Sequence, residues 1–106
     1  MGEVEFIFRL SEENEDRMRV EAVKEKGIIL NFVVQYEALI NKRWRPVIRY
    51  DTSHGFAHKD ILHPNGKKDK QPLFFHDFNT AFTFAVDDLK TTWRWYRHGY
   101  EMEIGL

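Results

Sequence analysis

The chain has 106 residues, 42% of them hydrophobic and 15% aromatic, no cysteine and a formal net charge of -1. That length allows one hydrophobic core, so residues 1–106 are expected to form a single domain. Without cysteine there is no disulfide scaffold, thiolate zinc site or thiol nucleophile. No apolar run reaches the roughly 18 residues of a membrane span, and no leader pattern opens the chain, so a cytoplasmic protein without membrane contact is expected.

Val4–Leu10 is rich in strand formers and reads as the first strand. The acidic run Ser11–Asp16 suits a solvated loop, since neighbouring carboxylates repel one another in a sheet. From Arg17 to Lys24, Met18, Val20 and Ala22 alternate with polar residues, the period-two pattern of a half-buried strand, and Lys26-Gly27 makes the turn. Ile28–Ile40 is apolar, β-branched and aromatic, and is expected as a central strand buried on both faces. After Asn41–Arg43, a strand over Trp44–Tyr50 contains Pro46, which has no N–H for a ladder and should lie at an edge or an irregularity.

Thr52–Gly55 has turn composition, Phe56–Leu62 is the next strand, Pro64–Lys67 carries the Asn-Gly hairpin signal, and Lys67–Phe75 returns as the last strand. Beyond His76 the period changes to 3.6. A helix capped by Asp77 or Asn79 is expected to run to about Arg97 or His98, with Gly99 ending it. Phe78, Phe82, Ala85, Val86, Leu89, Trp93 and Tyr96 would face the sheet, with Asp87 and Asp88 early and Arg94 and Arg97 late to suit the helix dipole. The fold class is therefore α+β, an antiparallel sheet of five or six strands covered on one face by a single long C-terminal helix.

Charge is segregated along the chain. Residues 1–26 carry five positive and eight negative side chains, whereas 41–76 carry eight positive and three negative, a net +5 that includes Lys59, Lys67 and Lys68. Basic hairpins interleaved with Trp44, Tyr50 and Phe56 suit RNA, because cations draw a polyanion and aromatic faces stack bases. On the helix, Phe84 and Trp95 fall off the core stripe with Asp88 and Thr91, a ridge that would serve a homodimer or partner face.

The window Arg49–Asp60 concentrates acid/base chemistry. If Thr52–Gly55 form the loop, Asp51 faces Phe56 and Arg49 faces His58, and alternation brings Arg49, Asp51, His58 and Asp60 to one face near the hairpin mouth. Phosphodiester cleavage would use His54 or His58 as base and acid, Tyr50 as a second proton donor and Arg49 for developing charge. A metal set of His54, His58 and His63 with Asp51 or Asp60 is unspecific, as these histidines straddle two turns, and no metal or cofactor is expected.

Val47-Ile48-Arg49-Tyr50-Asp51, then His54-Gly55 and His58, resembles the signature of a group of short prokaryotic proteins that includes the TumE-type toxins of toxin–antitoxin modules. That resemblance implies a strand ending in Arg-Tyr-Asp, a histidine-containing turn, a short strand and a C-terminal helix. It also implies RNA as the target, an antitoxin protein as partner, and Arg49, Tyr50, Asp51, His54 and His58 as the site. The alternative expectation is a non-enzymatic dimeric module that uses the aromatic helix ridge.

Overall fold

The computed structural model describes residues 2–106. Alternation along the chain produces strands β1 (Gly2–Arg9), β2 (Asp16–Glu25), β3 (Ile28–Ile40), β4 (Arg43–Asp51), β5 (His58–Leu62) and β6 (Lys68–Pro72), followed by helix α1 (Phe78–Ile104). The strands form one antiparallel sheet in the order β1-β2-β3-β4-β5-β6. Two turns need positive φ at both central residues, and they have it: Lys26 and Gly27 at 50° and 79°, Asn41 and Lys42 at 52° and 64°. This handedness matches the strand twist, so β2, β3 and β4 follow one another directly.

Cross-strand pairs align the apolar face. Met18 stands opposite Tyr36, Val20 opposite Val34, and Ala22 opposite Phe32, while Tyr36 and Val34 meet Ile48 and Tyr50 on the far side. The helix lays Ala81, Ala85, Leu89 and Trp93 on this face, with Tyr100 continuing the stripe. Phe78 and Phe82 pack edge-on against Phe32, and Trp93 packs against Tyr36. Asp77 caps the helix by accepting from Thr80 N at 2.7 Å. Asn79 does a different job: its amide accepts from Ile29 N and donates to Gly27 O, tying the helix start to the β2–β3 turn.

Several expected boundaries move. The helix does not stop at Gly99 but runs on to Ile104, because Tyr100 still has core to cover and Gly105, at φ 89°, ends it by donating to the Glu101 and Met102 carbonyls. Arg94 and Arg97 are consequently mid-helix, and the first turn has no acid and the last no base, so the dipole reading fails. β5 begins at His58 rather than Phe56, and β6 spans Lys68–Pro72 rather than Lys67–Phe75. Pro46 is accommodated by a bulge, with Glu37 opposite Pro46 and Tyr36 opposite Ile48, which leaves Val47 unpaired.

Polar contacts lock the helix to the sheet. Arg97 Nη1 donates to Asp16 Oδ1 at 2.8 Å and to the Glu15 carbonyl, and Nη2 donates to the Leu39 carbonyl. Tyr36 also donates to Asp16, and burial followed by that carboxylate pushes its phenol far above the ordinary range. Asp16 is 3% exposed, so losing its cation would strand a buried charge. Arg97→Ala is expected to cost about 3 kcal/mol in urea unfolding; a loss under about 1 kcal/mol, the range of exposed pairs, would show that the clamp is ornamental.

Candidate functional site

The helix covers one face of the sheet; the other face is polar yet partly buried. Gln35 and Glu37 project from β3 between Arg17 and Arg19 of β2 and Arg49 of β4. Glu37 accepts from Arg17 Nε at 2.6 Å, Arg19 Nε at 3.3 Å and Gln35 Nε2 at 2.6 Å, while Gln35 Oε1 accepts from Arg49 Nε at 2.7 Å. Burial opposes ionisation of Glu37, but these donors outweigh it and hold its carboxyl below the ordinary 4.5. Arg17 also lies over the Trp44 ring at 3.9 Å.

Along the same face, β4 and β5 add Asp51, His58 and Asp60. The register places Asp51 opposite His58 and Arg49 opposite Asp60, so the expected pairing of Asp51 with Phe56 is corrected. Thr52–Ala57 is a six-residue connection in which Gly55 has φ 82° and donates to the Thr52 carbonyl. Because the pairing moves by two residues, every side chain keeps its face. His58 Nε2 lies 2.8 Å from Asp51 Oδ1 and 3.7 Å from Asp60 Oδ2. Asp51 Oδ1 also accepts from Ser53 N and Oγ, which tightens the loop start. The His54 ring stacks on His58 with centroids 5.6 Å apart, and Phe56 packs beside them. Under this cover His58 is 1% exposed.

Arg49, Asp51, His54 and His58 thus share one face with Asp60. Tyr50 does not. It points to the helix, where its hydroxyl and that of Tyr96 both donate to Asp88 Oδ2 at 2.6 Å, and burial with that carboxylate pushes the Tyr50 phenol far up. Lys59 is on that side too, donating to the Tyr96 hydroxyl at 2.7 Å; burial lowers its pKa and Asp88 partly offsets this. Neither residue belongs to the polar face, as one-residue alternation requires. Phe84 packs against Phe75 and Tyr50, and Trp95 stands 73% exposed on the helix.

Where β4 runs past the end of β5, a groove of about 520 Å³ opens, lined by Arg43, Trp44, Arg45, Arg49, Lys67 and Lys68. Lys67 and Lys68 were expected from charge counting. Arg43, Trp44 and Arg45 join them because the Pro64–Lys67 turn folds back beside the start of β4. His63, at the rim, bridges Glu103 and Asp69 at 2.8 Å each, and these partners raise its pKa above 6.5. Sequence reasoning missed Gln35 and Glu37, which sat inside an apolar run. Their signal was two polar residues at period two about Tyr36.

A family model, the domain of unknown function DUF7718, matches residues 1–106, and the chain belongs to that family. No curated protein and no solved structure matches it.

A carboxylate whose pKa is lowered by folding stabilises above its unfolded value, and the benefit is lost as pH falls through the folded one. Glu37→Gln should therefore lower stability at pH 7 by about 1–3 kcal/mol, because a neutral amide leaves one acceptor oxygen for three donors and turns an NH2 group toward one of them. In urea titrations the gap to wild type should shrink steadily below pH 4.5, where wild-type Glu37 takes up its proton. A gap that stays constant between pH 7 and pH 3.5 contradicts the assignment.

Proposed function

We propose that this member of the DUF7718 family binds single-stranded RNA along the basic groove at the free edge of β4, which Arg43 and Arg45 border from the helix side and Trp44 and Arg49 from the polar face. One observation carries the reading: five cationic side chains from two hairpins and the ring of Trp44 line the same groove. Cations at this density neutralise a phosphate backbone and release its counterions, and the Trp44 indole has one face, the one Arg17 does not cover, to offer a base. Arg49 connects the groove to the Gln35 and Glu37 network through its hydrogen bond to Gln35, and it stands opposite Asp60 in the ladder. The resemblance of Val47–His58 to the TumE-type toxins points to the same class of target, and an antitoxin protein is the partner that goes with it.

The function is proposed as binding. His58 is sealed beneath His54 and Phe56, so a phosphodiester does not reach its ring while the Thr52–Ala57 loop keeps this conformation. A dimer through the helix ridge has less support: Phe84 is engaged with Phe75 and Tyr50, and Asp88 with two tyrosines.

Fluorescence anisotropy with a labelled single-stranded RNA tests this. Arg43→Glu combined with Lys68→Glu is expected to weaken binding at least tenfold and to reduce the salt dependence by about 1.4 in the log–log slope, two phosphate contacts at about 0.7 each. Phe84→Ser with Trp95→Lys should leave affinity unchanged. An absence of wild-type binding at low salt, or equal affinity in the charge-reversed variant, refutes the proposal. A DNA strand of the same sequence reports whether the 2′-hydroxyl is read.

A further inference from the structure

Burying a carboxylate costs several kcal/mol unless donors or a countercharge replace its water. Asp16, Glu37, Asp51 and Asp60 are each at least nine-tenths buried. Asp16 is met by Arg97 and Tyr36, and Glu37 by Arg17, Arg19 and Gln35. Asp51 and Asp60 are treated differently. Among the described residues, the only basic side chain paired with either is His58. Oδ1 of Asp60 and Nδ1 of His58 are buried with no hydrogen-bond partner. Two buried carboxylates thus share one imidazole, where Glu37 alone has two arginines.

The donor atoms are spaced for a metal. Ligands held about 2.1 Å from one ion lie about 3.0–3.4 Å apart in octahedral or tetrahedral arrangements. Here His58 Nε2 is 2.8 Å from Asp51 Oδ1 and 3.7 Å from Asp60 Oδ2, and one ligand atom from each residue falls within 4.8 Å of the others. The two His58 distances are within a few tenths of an ångström of that spacing. We infer that Asp51, His58 and Asp60 form a binding site for one divalent transition-metal cation, with a carboxylate oxygen from each aspartate and Nε2 of His58 as protein ligands.

The donor set selects among cations. An imidazole with two carboxylates suits Zn²⁺ or Mn²⁺ better than Mg²⁺ or Ca²⁺, which take oxygen donors. His54 is a cover rather than a ligand, since its ring stacks on that of His58 at an interplanar angle of 29°. His63 is engaged with Asp69 and Glu103 instead. The three ligands bracket the Thr52–Ala57 loop, so the ion would fasten its two ends. The site is independent of whether the groove binds RNA.

Mn²⁺ titrated into chelator-treated full-length protein tests the assignment. Loss of the free-ion paramagnetic resonance signal should saturate at one ion per chain. In nuclear magnetic resonance spectra of the same wild-type sample, broadening should begin at the amides of Asp51, His58 and Asp60. Zn²⁺ should raise the wild-type Tm by about 5 °C or more at saturating concentration. Asp60→Asn and His58→Gln should abolish both effects, and His63→Gln should leave them intact. Absence of wild-type binding overturns the inference, as does broadening that begins at His63, Asp69 and Glu103. The wild-type spectra decide the matter even if the Asp60 and His58 variants fail to fold.

Discussion

One helix covers one face of a sheet, and this constraint shapes the rest of the protein. A 27-residue helix lies across β3 and β4, yet β3 is buried on both sides through its middle. The two sides are closed by different means. Val34, Tyr36 and Ala38 face the helix and lose water to apolar neighbours, whereas Gln35 and Glu37 face away and lose it to arginines and to each other. The second closure needs matched donors and acceptors at every position, because an unmatched buried polar group costs more than a paired one returns.

That requirement separates the polar clusters by purpose. On the helix side, Arg97 joins Asp16 and two carbonyls, and Lys59, Tyr96, Tyr50 and Asp88 form a satisfied chain. These clusters fix the position of the helix and leave no demand unmet. On the open side, Glu37 is equally well satisfied. The match fails at the other end of the same face, where Asp60 and His58 each keep an orphan atom beneath the loop. Among the described residues, Asp51 and Asp60 are the buried carboxylates that have no arginine, and Asp60 Oδ1 is the buried carboxylate oxygen without a donor, which is why the proposed cation is placed there.

Much of this was legible in the residues, for identifiable reasons. Strand periodicity in β2 and the turn residues Lys26-Gly27 and Asn65-Gly66 act over a few residues, so the antiparallel order with a covering helix could be read directly. Alternation also placed Arg49, Asp51 and His58 on one face, and a two-residue error in register preserved that result. The same rule, applied strictly, excludes Tyr50 from a site containing Arg49 and Asp51. The helix end was not legible, because Gly99 is a stop signal that tertiary packing around Tyr100 overrides. Nor was the groove, which is made by two hairpins about twenty residues apart and depends on where β5 ends.

We propose the open polar face, with the groove beside it, as the working surface of the protein. The most direct test is to map chemical-shift changes on the folded wild-type chain as single-stranded RNA is added, observing the arginine Nε–H and tryptophan indole signals. Arg43, Trp44, Arg45 and Arg49 should shift together, while Trp95, which lines the neighbouring pocket between helix and sheet, should not. Shifts centred on Trp95 with the groove residues unmoved would contradict the proposal and place the working surface on the helix.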